Sequence, residues 1–371
     1  MKKVLFLFGT RPEAIKMAPL ISSFSSDKNF VVKVGVTAQH REMLDQVLSF
    51  FEIKVDYDLN IMKPNQSLHQ LTSDLITRIT NEILQKEHFD YVFVQGDTTT
   101  VLASALAAFY QKIEVVHIEA GLRSGDMLSP FPEEMNRVLT SKIAAFHFCP
   151  TEISKQNLMR ENIKKNVFVV GNTVIDALLE GLKKIKKSGE EMLHLKYCGI
   201  DFSKKIILVT CHRRENFGKP FEEICEALLE IASSQKEQVE IVYPVHLNPN
   251  IKEIAHQKLI AENIKLIPPL DYPDLIWMMN KSNIILTDSG GIQEEAPSLA
   301  KPVLVMRTVT ERTEGIASGT AILVGSDKTK IVNETLKLIQ NKDYYATMSN
   351  ASNPYGDGTT SQQIRQILLE A

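Results

Sequence analysis

Cysteine is scarce in this chain of 371 residues, which has four cysteines and no C-x-x-C pair. Such wide spacing argues against a disulfide framework or a zinc site, and it fits a reducing compartment. No apolar run approaches the roughly 20 residues of a membrane span. The five-residue run from Val4 to Phe8 is also shorter than a signal peptide requires. We therefore expect a cytoplasmic protein with no membrane partner.

No block of five or six like charges occurs, and the formal net charge is only -3. This charge pattern lacks the basic surface that attracts nucleic acid, so we expect no nucleic-acid partner. No G-x-G-x-x-G opens the chain, and neither G-x-x-x-x-G-K-[ST] nor H-E-x-x-H occurs. Dinucleotide-dependent oxidation, nucleoside triphosphate hydrolysis and zinc-dependent hydrolysis therefore lose their usual signatures.

What the chain does contain is a repeated alternation of short apolar runs, turn residues and amphipathic stretches. This pattern is typical of buried parallel strands that alternate with helices. Because one core stops growing at about 250–300 residues, we predict two doubly wound α/β domains facing each other across a cleft. The first covers residues 1–172 and is joined by a C-terminal helix at 359–371, and the second covers 173–358. The strands are predicted at 3–8, 31–37, 91–95, 115–119, 167–170, 206–210, 240–245, 264–267, 283–287 and 302–306.

Two loops that follow predicted strands are candidate phosphate-binding sites. In Asp288-Ser289-Gly290-Gly291, glycines permit close backbone approach and a helix start offers free N–H groups to an anion. Glu295, further along that helix, is placed to accept hydrogen bonds from ribose hydroxyls. The other loop carries Arg11 and Lys16, whose cations suit phosphate oxygens. An ordinary capped helix start is the alternative for each loop: the residues favour phosphate at the first loop and leave the two interpretations even at the second.

Carboxylates are also concentrated where predicted strands end. Asp97 and Glu119 directly follow strands, and Glu133 and Glu134 follow a Pro-Phe-Pro segment. Each has a structural alternative: Asp97 as a helix cap, Glu119 as a partner of Arg123, and the Glu pair as a solvated first turn. Several carboxylates at one sheet edge nevertheless favour acid–base chemistry.

Histidines and arginines follow strands in the second half of the chain. His212 and His246 each follow a predicted strand, and Arg312 adds a cation for a phosphate or uridine group. A lone histidine is usually structural, but a position at the functional edge of a doubly wound sheet favours a role in the site.

Taken in order along the chain, these segments resemble the non-hydrolysing UDP-N-acetylglucosamine 2-epimerases of bacteria. The resemblance extends over essentially the whole chain. The matching segments are Gly9-Thr10-Arg11-Pro12-Glu13, Gly96-Asp97-Thr98, His117-Ile118-Glu119-Ala120-Gly121-Leu122-Arg123, His212-Arg213-Arg214-Glu215-Asn216, Pro244-Val245-His246-Leu247-Asn248-Pro249, Thr287-Asp288-Ser289-Gly290-Gly291-Ile292-Gln293-Glu294-Glu295-Ala296-Pro297 and Asn353-Pro354-Tyr355-Gly356-Asp357-Gly358.

The resemblance implies two Rossmann-like domains in the glycosyltransferase-B arrangement and a homodimer. It implies interconversion of UDP-N-acetylglucosamine and UDP-N-acetylmannosamine for surface polysaccharide synthesis, with no cofactor and no metal. The family eliminates UDP to form a 2-acetamidoglucal and then adds it back. By resemblance, the catalytic residues are Asp97, Glu119, Glu133 and His212. The same resemblance assigns the substrate to Arg11, Lys16, Ser289, Gly290, Gly291, Glu295 and Arg312, besides Asp97, Glu119 and His212.

The chain departs from the family pattern at several positions. Gln95 stands where members often have histidine, and Leu270 and Leu275 stand where some have nucleotide contacts. Some members also bind a second UDP-N-acetylglucosamine that activates them. Four residues match that allosteric site, whereas Glu42 and Asn65 differ from it. The four are Gln39, Glu134, Arg213 and His246.

Four alternative functions stay open. They are a 2-epimerase of another UDP-2-acetamido sugar, a hydrolysing epimerase, a glycosyltransferase of the same fold, and a sensor that binds a nucleotide sugar without turnover. A hydrolysing epimerase typically opens with a Gly-Ser-Arg-Ala-Glu-like segment, unlike the segment at residues 9–13. A glycosyltransferase would leave the three carboxylates with less purpose.

Overall fold

The computed structural model describes residues 1–37, 41–61 and 66–371, and the chain divides into two compact units. The first unit comprises Met1–Ala177 together with Tyr355–Ala371, and the second comprises Leu178–Pro354. The sequence places the corresponding boundaries at residues 172 and 359. Within the described residues, no helix is both long and apolar enough to cross a membrane.

The first unit contains one seven-stranded sheet whose neighbouring strands are all parallel. The strands are β1 (Lys2–Phe8), β2 (Phe30–Val36), β3 (Tyr57–Asp58), β4 (Tyr91–Gln95), β5 (Glu114–Ile118), β6 (Phe146–Cys149) and β7 (Val167–Val169). Their order is β3-β2-β1-β4-β5-β6-β7. The order reverses between β1 and β4, which is where ligands bind in folds of this kind. The helices are α1 (Arg11–Ser25), α2 (Arg41–Phe50), α3 (Leu68–Ile79), α4 (Thr99–Tyr110), α5 (Glu133–Ile143), α6 (Glu152–Arg160), the first turns of α7 (Thr173–Ser188), and α16 (Thr360–Glu370), and Thr80–Leu84 extends α3 as a π-helical turn.

The second unit repeats this plan with a six-stranded parallel sheet. Its strands are β8 (Lys205–Thr210), β9 (Val239–Pro244), β10 (Ile264–Ile267), β11 (Ile284–Thr287), β12 (Val303–Val305) and β13 (Ala321–Leu323). Their order is β10-β9-β8-β11-β12-β13, so the reversal falls between β8 and β11. The helices are α8 (Glu190–Lys196), α9 (Lys219–Ser234), α10 (Pro249–Lys258), α11 (Tyr272–Lys281), α12 (Gly290–Glu295), α13 (Thr313–Ala317), α14 (Lys328–Gln340) and α15 (Lys342–Ser349), with 3-10 turns at Arg214–Asn216 and Ala296–Leu299.

The central strands are buried on both faces, as parallel strands covered by helices must be. Every residue of β4 is buried, and so are Val4–Phe8 of β1. In the second unit, β11 and β12 are likewise buried throughout. These continuous apolar runs explain why periodicity located the central strands. Two predicted ranges, 91–95 and 264–267, coincide with β4 and β10, and the predicted ends of the other eight lie within one residue of the observed ends.

Three short strands have no counterpart among the ten predicted ones. β3 has two residues, β6 has four and β13 has three. All three lie towards the edges of their sheets. Length alone does not explain this, since β7 and β12 also have three residues and are predicted. A short apolar run is ambiguous by itself, and pairing with a neighbouring strand identifies β3, β6 and β13.

The helix α16 packs against the first unit although it follows the second unit in sequence. Lys2 Nζ donates to Leu368 O at 2.7 Å, and Arg365 Nη1 donates to Ser23 O at 3.0 Å. The N–H of Ser361 donates to Asp176 Oδ1 at 2.7 Å. The helix therefore covers α1 and completes the first unit.

Candidate active site

The point of strand reversal in the first unit collects three sequence-predicted residues. Gly96-Asp97-Thr98 follows β4, Glu119 follows β5, and Lys16 lies on α1 after β1. Lys16 Nζ lies 2.5 Å from Glu119 Oε2. Because parallel strands end at one edge, segments far apart in sequence meet here.

Glu119 is held by three polar side chains. Lys16 and the Gln95 amide both donate to its Oε2, and Asn172 Nδ2 donates to its Oε1 at 3.2 Å. Its backbone is left-handed, with φ 61°, which is uncommon for a residue other than glycine. Its side chain is only 10% exposed. The arrangement neutralises and orients the Glu119 carboxylate. Arg123, the partner suggested by sequence proximity, pairs with a different residue: its Nε donates to Glu161 Oε1 at 2.6 Å.

Asp97 lies beside this group and is stabilised by Arg137. Arg137 Nε is 3.5 Å from Asp97 Oδ2, and Asn136 Nδ2 donates to the backbone O of Asp97 at 2.9 Å. Burial raises the pKa of the Asp97 carboxyl, and Glu119 and Glu133 act in the same direction against Arg137 and Lys16. The residue that caps α4 is Thr98, not Asp97. Asp97 is thus a carboxyl group whose charged form is only partly compensated.

Glu133 and Glu134 begin α5 but have different surroundings. Glu134 is 2% exposed and accepts from the N–H groups of Ser124 and Gly125 at 3.0 and 3.1 Å. Arg137 Nε also lies 3.1 Å from Glu134 Oε2. Glu134 therefore anchors the preceding loop, whereas Glu133 is half-buried and close enough to Asp97 to raise the pKa of that carboxyl.

The β1–α1 loop is fixed by Glu13, a residue to which the sequence-based prediction assigns no role. Its Oε2 accepts from the N–H groups of Gly9 and Thr10 at 3.1 and 2.7 Å, and its Oε1 accepts from Thr98 Oγ1 at 2.8 Å. Gly9 is required here, since a Cβ atom would lie 2.2 Å from Thr37 Oγ1. The Arg11 side chain is half-buried and makes no hydrogen bond or ion pair to another described side chain.

In the second unit, Asp288 lies at the point of strand reversal and accepts hydrogen bonds from the segment that follows β8. It directly follows β11 and is fully buried. Its Oδ2 accepts from the N–H groups of His212 and Arg213, both at 2.9 Å, and from Asn216 Nδ2 at 3.0 Å. His212 Nδ1 lies 3.2 Å from Asp288 Oδ1. Burial lowers the pKa of the His212 imidazole, although the Asp288 charge opposes this shift.

The predicted phosphate loop begins α12 with Ser289 as the N-cap residue, and its hydroxyl makes no capping hydrogen bond. A Cβ atom on Gly290 would lie 3.3 Å from Arg312 Cζ, so this guanidinium lies directly over the glycine. Arg312 Nε donates to Glu294 Oε1 at 2.8 Å. Gly291 follows as the second residue of the helix. The loop thus combines a helix start, close backbone access and a cation.

Glu295, the predicted ribose ligand, is 5% exposed. The hydroxyl of Tyr272 donates to its Oε1 at 3.3 Å. Burial and this carboxylate raise the pKa of Tyr272 well above its ordinary value, so the phenol stays protonated and remains a donor. The Tyr272 hydroxyl therefore helps to orient the Glu295 carboxylate.

The residues matched to an allosteric site are distributed over both units. Gln39 and Asn65 lie outside the described residues. Glu134 is the loop anchor of the first unit, Arg213 Nε donates to Asp288 O at 3.0 Å, and the His246 ring stacks on His212 at 5.9 Å between centroids. Of the family departures, Glu42 is exposed on α2, and Leu270 and Leu275 are half-buried before and within α11.

The sequence-based prediction assigns no orienting role to several residues that orient the predicted ones, although Gln95 and Asp288 are named in its motifs. Each is a polar side chain within about five residues of a strand end or one helical turn past a predicted residue. They are Glu13, Gln95, Arg137, Asn172 and Asp288. Among the described residues, no group of three or more His, Cys, Asp or Glu side chains is arranged to hold a metal ion.

Comparison with known proteins gives consistent matches along the chain. The sequence model of a family described as UDP-N-acetylglucosamine 2-epimerase matches residues 22–369. A UDP-N-acetylglucosamine 2-epimerase of Escherichia coli O157:H7 is 55% identical over 370 residues, which cover 99% of this chain and 98% of that protein.

Solved structures match equally well. The crystal structure of a UDP-GlcNAc 2-epimerase from Neisseria meningitidis bound to UDP-GlcNAc has 51% identity and a TM-score of 0.90, with 100% of both chains covered. A structure of S. aureus MnaA with UDP has 47% identity and a TM-score of 0.85, and it covers 100% of this chain and 96% of that one.

Proposed function

Because the chain belongs to the UDP-N-acetylglucosamine 2-epimerase family and is therefore an isomerase, we propose that it interconverts UDP-N-acetylglucosamine and UDP-N-acetylmannosamine without releasing free sugar. The relatives' names and the ligands of two solved relatives, UDP-GlcNAc and UDP, support this choice of substrate. We further propose that the product supplies surface polysaccharide synthesis.

The main observation behind the proposal is the cluster of carboxylates in the first unit. Asp97 and Glu119 lie at the point of strand reversal, and each has a cation beside it, Arg137 and Lys16 respectively. A nucleotide-binding module alone needs one carboxylate for ribose, not a partly compensated Asp97 and an ion-paired Glu119 beside a third carboxylate at Glu133. Such a set is suited to moving a proton and stabilising positive charge.

The reaction that fits is elimination followed by re-addition. A base removes the proton at C2, the C1–O bond to the diphosphate breaks, and a C1=C2 double bond forms while UDP leaves with the bonding electron pair. A proton then returns to C2 from the opposite face, and a UDP oxygen adds back to C1. The hydrogen at C2 is not adjacent to a carbonyl in the ring, so direct deprotonation without loss of UDP is unfavourable.

We assign the predicted residues to this reaction by chemistry. Asp97, Glu119 and Glu133 exchange the proton and stabilise the electron-poor sugar ring. His212 acts at the departing diphosphate, together with Arg11, Lys16, Arg312 and the α12 start at Ser289-Gly290-Gly291, because cations and N–H groups stabilise developing negative charge. Glu295 binds the ribose hydroxyls. Lys16, which contacts Glu119, is shared between the two tasks.

Incubation with UDP-N-acetylglucosamine in deuterated water tests the proposed reaction. We expect UDP-N-acetylmannosamine with deuterium at C2, observed by proton NMR of the sugar. Release of free N-acetylmannosamine would identify a hydrolysing epimerase. Binding with no exchange would identify a sensor or a glycosyltransferase. Turnover of another UDP-2-acetamido sugar alone would show that this sugar nucleotide is the substrate.

The residue assignment is tested with Asp97→Asn, Glu119→Gln, Glu133→Gln and His212→Asn. Each is expected to lower kcat by about 10²-fold or more, as for removal of an acid–base group. Glu152→Gln is the control, since Glu152 is exposed on the first turn of α6. Wild-type turnover in the first four variants would refute the assignment.

Two further properties are proposed on the resemblance alone. A homodimer is expected in sedimentation or light scattering, and a monomer across working concentrations would contradict it. Activation by substrate at a second site, involving Gln39, Glu134, Arg213 and His246, would appear as a sigmoidal dependence of rate on UDP-N-acetylglucosamine. A hyperbolic dependence would exclude it.

A further inference from the structure

The carboxylate of Asp288 is the most deeply buried charged group beside a predicted catalytic residue. It has no solvent exposure, and its Oδ2 already accepts three hydrogen bonds. Among the described residues, its Oδ1 has no hydrogen-bond donor with good geometry. A buried carboxylate oxygen without a donor is costly, so this atom strongly favours any proton placed against it.

His212 faces Oδ1, and the Cys211 thiol also lies against the Asp288 carboxylate, which contributes to raising the pKa of that thiol. The imidazole Nδ1 lies 3.2 Å from Asp288 Oδ1, within ion-pair range though not aligned as a hydrogen bond. A neutral imidazole carries its proton on one of two nitrogens, and the partner of one nitrogen decides which. A proton on Nδ1 meets an acceptor, whereas a lone pair on Nδ1 would meet another lone pair.

We propose that Asp288 is a positioning residue that holds His212 as the Nδ1–H tautomer and leaves Nε2 as the nitrogen that meets the substrate. The catalytic consequence rests on the proposed function of His212, whereas the tautomer itself does not. When Nε2 is protonated, the ring becomes a cation that remains paired with Asp288. Neutral, Nε2 is a hydrogen-bond acceptor at a known position.

The stacked neighbour of His212 is expected to hold the opposite tautomer. The N–H of Asn248 donates to His246 Nδ1 at 3.1 Å, so the neutral His246 ring carries its proton on Nε2. The other charged groups that act on His212 are Arg213 and His246, and both favour the neutral ring. Two adjacent imidazoles therefore differ in tautomer because their Nδ1 partners differ: a carboxylate for one and a backbone N–H for the other.

Nitrogen-15 NMR of the wild-type protein, labelled at histidine, tests the tautomer without any variant. The spectrum is recorded at about pH 8, above the ordinary pKa of a free imidazole, and the signals of His212 are assigned by their loss in His212→Asn. We expect a protonated Nδ1 and an unprotonated Nε2 for His212, and the reverse for His246. An Nε2–H tautomer at His212 would overturn the proposal, whatever the reaction proves to be.

Asp288→Asn tests the cause. The amide oxygen is needed by the three donors now at Oδ2, so the amide NH₂ turns towards His212 and becomes a donor. We expect His212 to switch to Nε2–H while His246 stays unchanged. Asp274→Asn is the control, because Asp274 is a buried aspartate of the same unit that accepts from Tyr197. An unchanged His212 tautomer in a folded Asp288→Asn protein would overturn the proposal.

Kinetics separate positioning from general support of the fold. Asp288→Asn is expected to lower kcat at least about tenfold. In a His212→Asn background, however, the same change should leave kcat within about twofold, since the residue it positions is gone. Equal losses in both backgrounds would mean that Asp288 supports the loop rather than the imidazole. Should the wild type prove not to be an epimerase, the NMR result still decides the tautomer.

Discussion

Glu119 is an exceptional residue because its backbone and its side chain are both constrained. The φ of Glu119 is 61°, in the left-handed region. In a residue other than glycine this conformation costs on the order of 1–3 kcal/mol. The conformation points the carboxylate at Lys16, Gln95 and Asn172. Strain of this kind persists where the surrounding contacts fix it, which is typical of functional sites.

Gln95→Met tests the contribution of one of these contacts. Methionine keeps the size and the burial but removes the amide donor to Glu119. A hydrogen bond to a charged group is worth about 1.5–3 kcal/mol, so kcat should fall about tenfold or more while KM for UDP-N-acetylglucosamine stays within about twofold. Gln70→Met is the control, since Gln70 also donates to a carboxylate, that of Asp74, on the exposed face of α3. A change in KM with kcat intact would assign Gln95 to binding instead.

Asp97→Asn is predicted to stabilise the protein while it inactivates the enzyme. Burial raises the pKa of Asp97, so the folded state binds a proton more tightly than the unfolded state. Stability from this group is therefore full at low pH and declines as pH rises through the folded pKa. Asparagine does not ionise, so it removes this decline in stability at higher pH. We expect Tm about 2–4 °C above wild type at about pH 8, narrowing towards about pH 4.

Melting curves of both proteins across this pH range measure the difference. Asp90→Asn serves as the control, since Asp90 is an exposed aspartate just before β4 that has no comparable burial. A difference in Tm that grows as the pH falls would contradict the sign of the shift at Asp97.

At the scale of elements, the helix starts carry much of the site. Thr10 and Glu13 form a capping box at α1, and Glu13 also ties Thr98, the N-cap residue of α4, to the same loop. Two strand–helix connections are thereby fixed against each other by one buried side chain. The residues that follow β1 and β4 are then held in register before any ligand arrives.

Glu13→Ala is predicted to destabilise the first unit. It leaves the N–H groups of Gly9 and Thr10 without their acceptor in a buried setting, at a cost of about 1–3 kcal/mol for each buried group. A fall in Tm of at least about 2–4 °C is expected by thermal melting. Glu152→Ala, at the exposed first turn of α6, should leave Tm within about 1 °C. Equal Tm values for the two variants would show that the capping box is dispensable.

The sequence predicts elements that depend on neighbouring residues better than elements that depend on contacts between residues far apart in the chain. The central strand β4 and the edge strand β10 both follow from local apolar runs, and α1 follows from its own capping residues. The two-residue strand β3 does not, since only its pairing with β2 defines it.

The site shows the same division. Polar residues at strand ends identify Asp97, Glu119 and His212 as candidates, because the edge of a parallel sheet is set by the local pattern. The partner of Glu119 is not accessible in this way: sequence proximity suggests Arg123, whereas tertiary structure supplies Lys16, 103 residues away. Similarly, Asp288 reaches His212 across a separation of 76 residues.

At the scale of the molecule, the first unit is discontinuous in sequence. Its closing helix α16 buries Ile364 and Leu368, and it bonds to α1 and to the edge of β1. The chain leaves the unit after Ala177 and rejoins it at Tyr355, where Tyr355 O accepts from the N–H of Asn172. The stability of the first unit therefore depends on a segment that lies beyond the second.

Ile364→Asp tests this dependence. A carboxylate at this fully buried position is strongly disfavoured, so α16 should detach from α1. Hydrogen exchange is expected to speed up in α1 and β1 while the amides of β8 and β11 keep their protection. Gln362→Asp, exposed on the same helix, should leave all four elements unchanged. Loss of protection throughout the second unit as well would show that the two units unfold as one.

The late position of α16 also has a consequence for the order of events on the ribosome. Residues 1–177 emerge first, but the face of α1 that α16 covers stays open until the 177 residues from 178 to 354 have been made. At roughly 5–20 residues per second this interval lasts on the order of 10–35 s. During synthesis the second unit can acquire its native contacts before the first does. An exposed apolar surface on the nascent chain during that interval is a natural binding site for a chaperone.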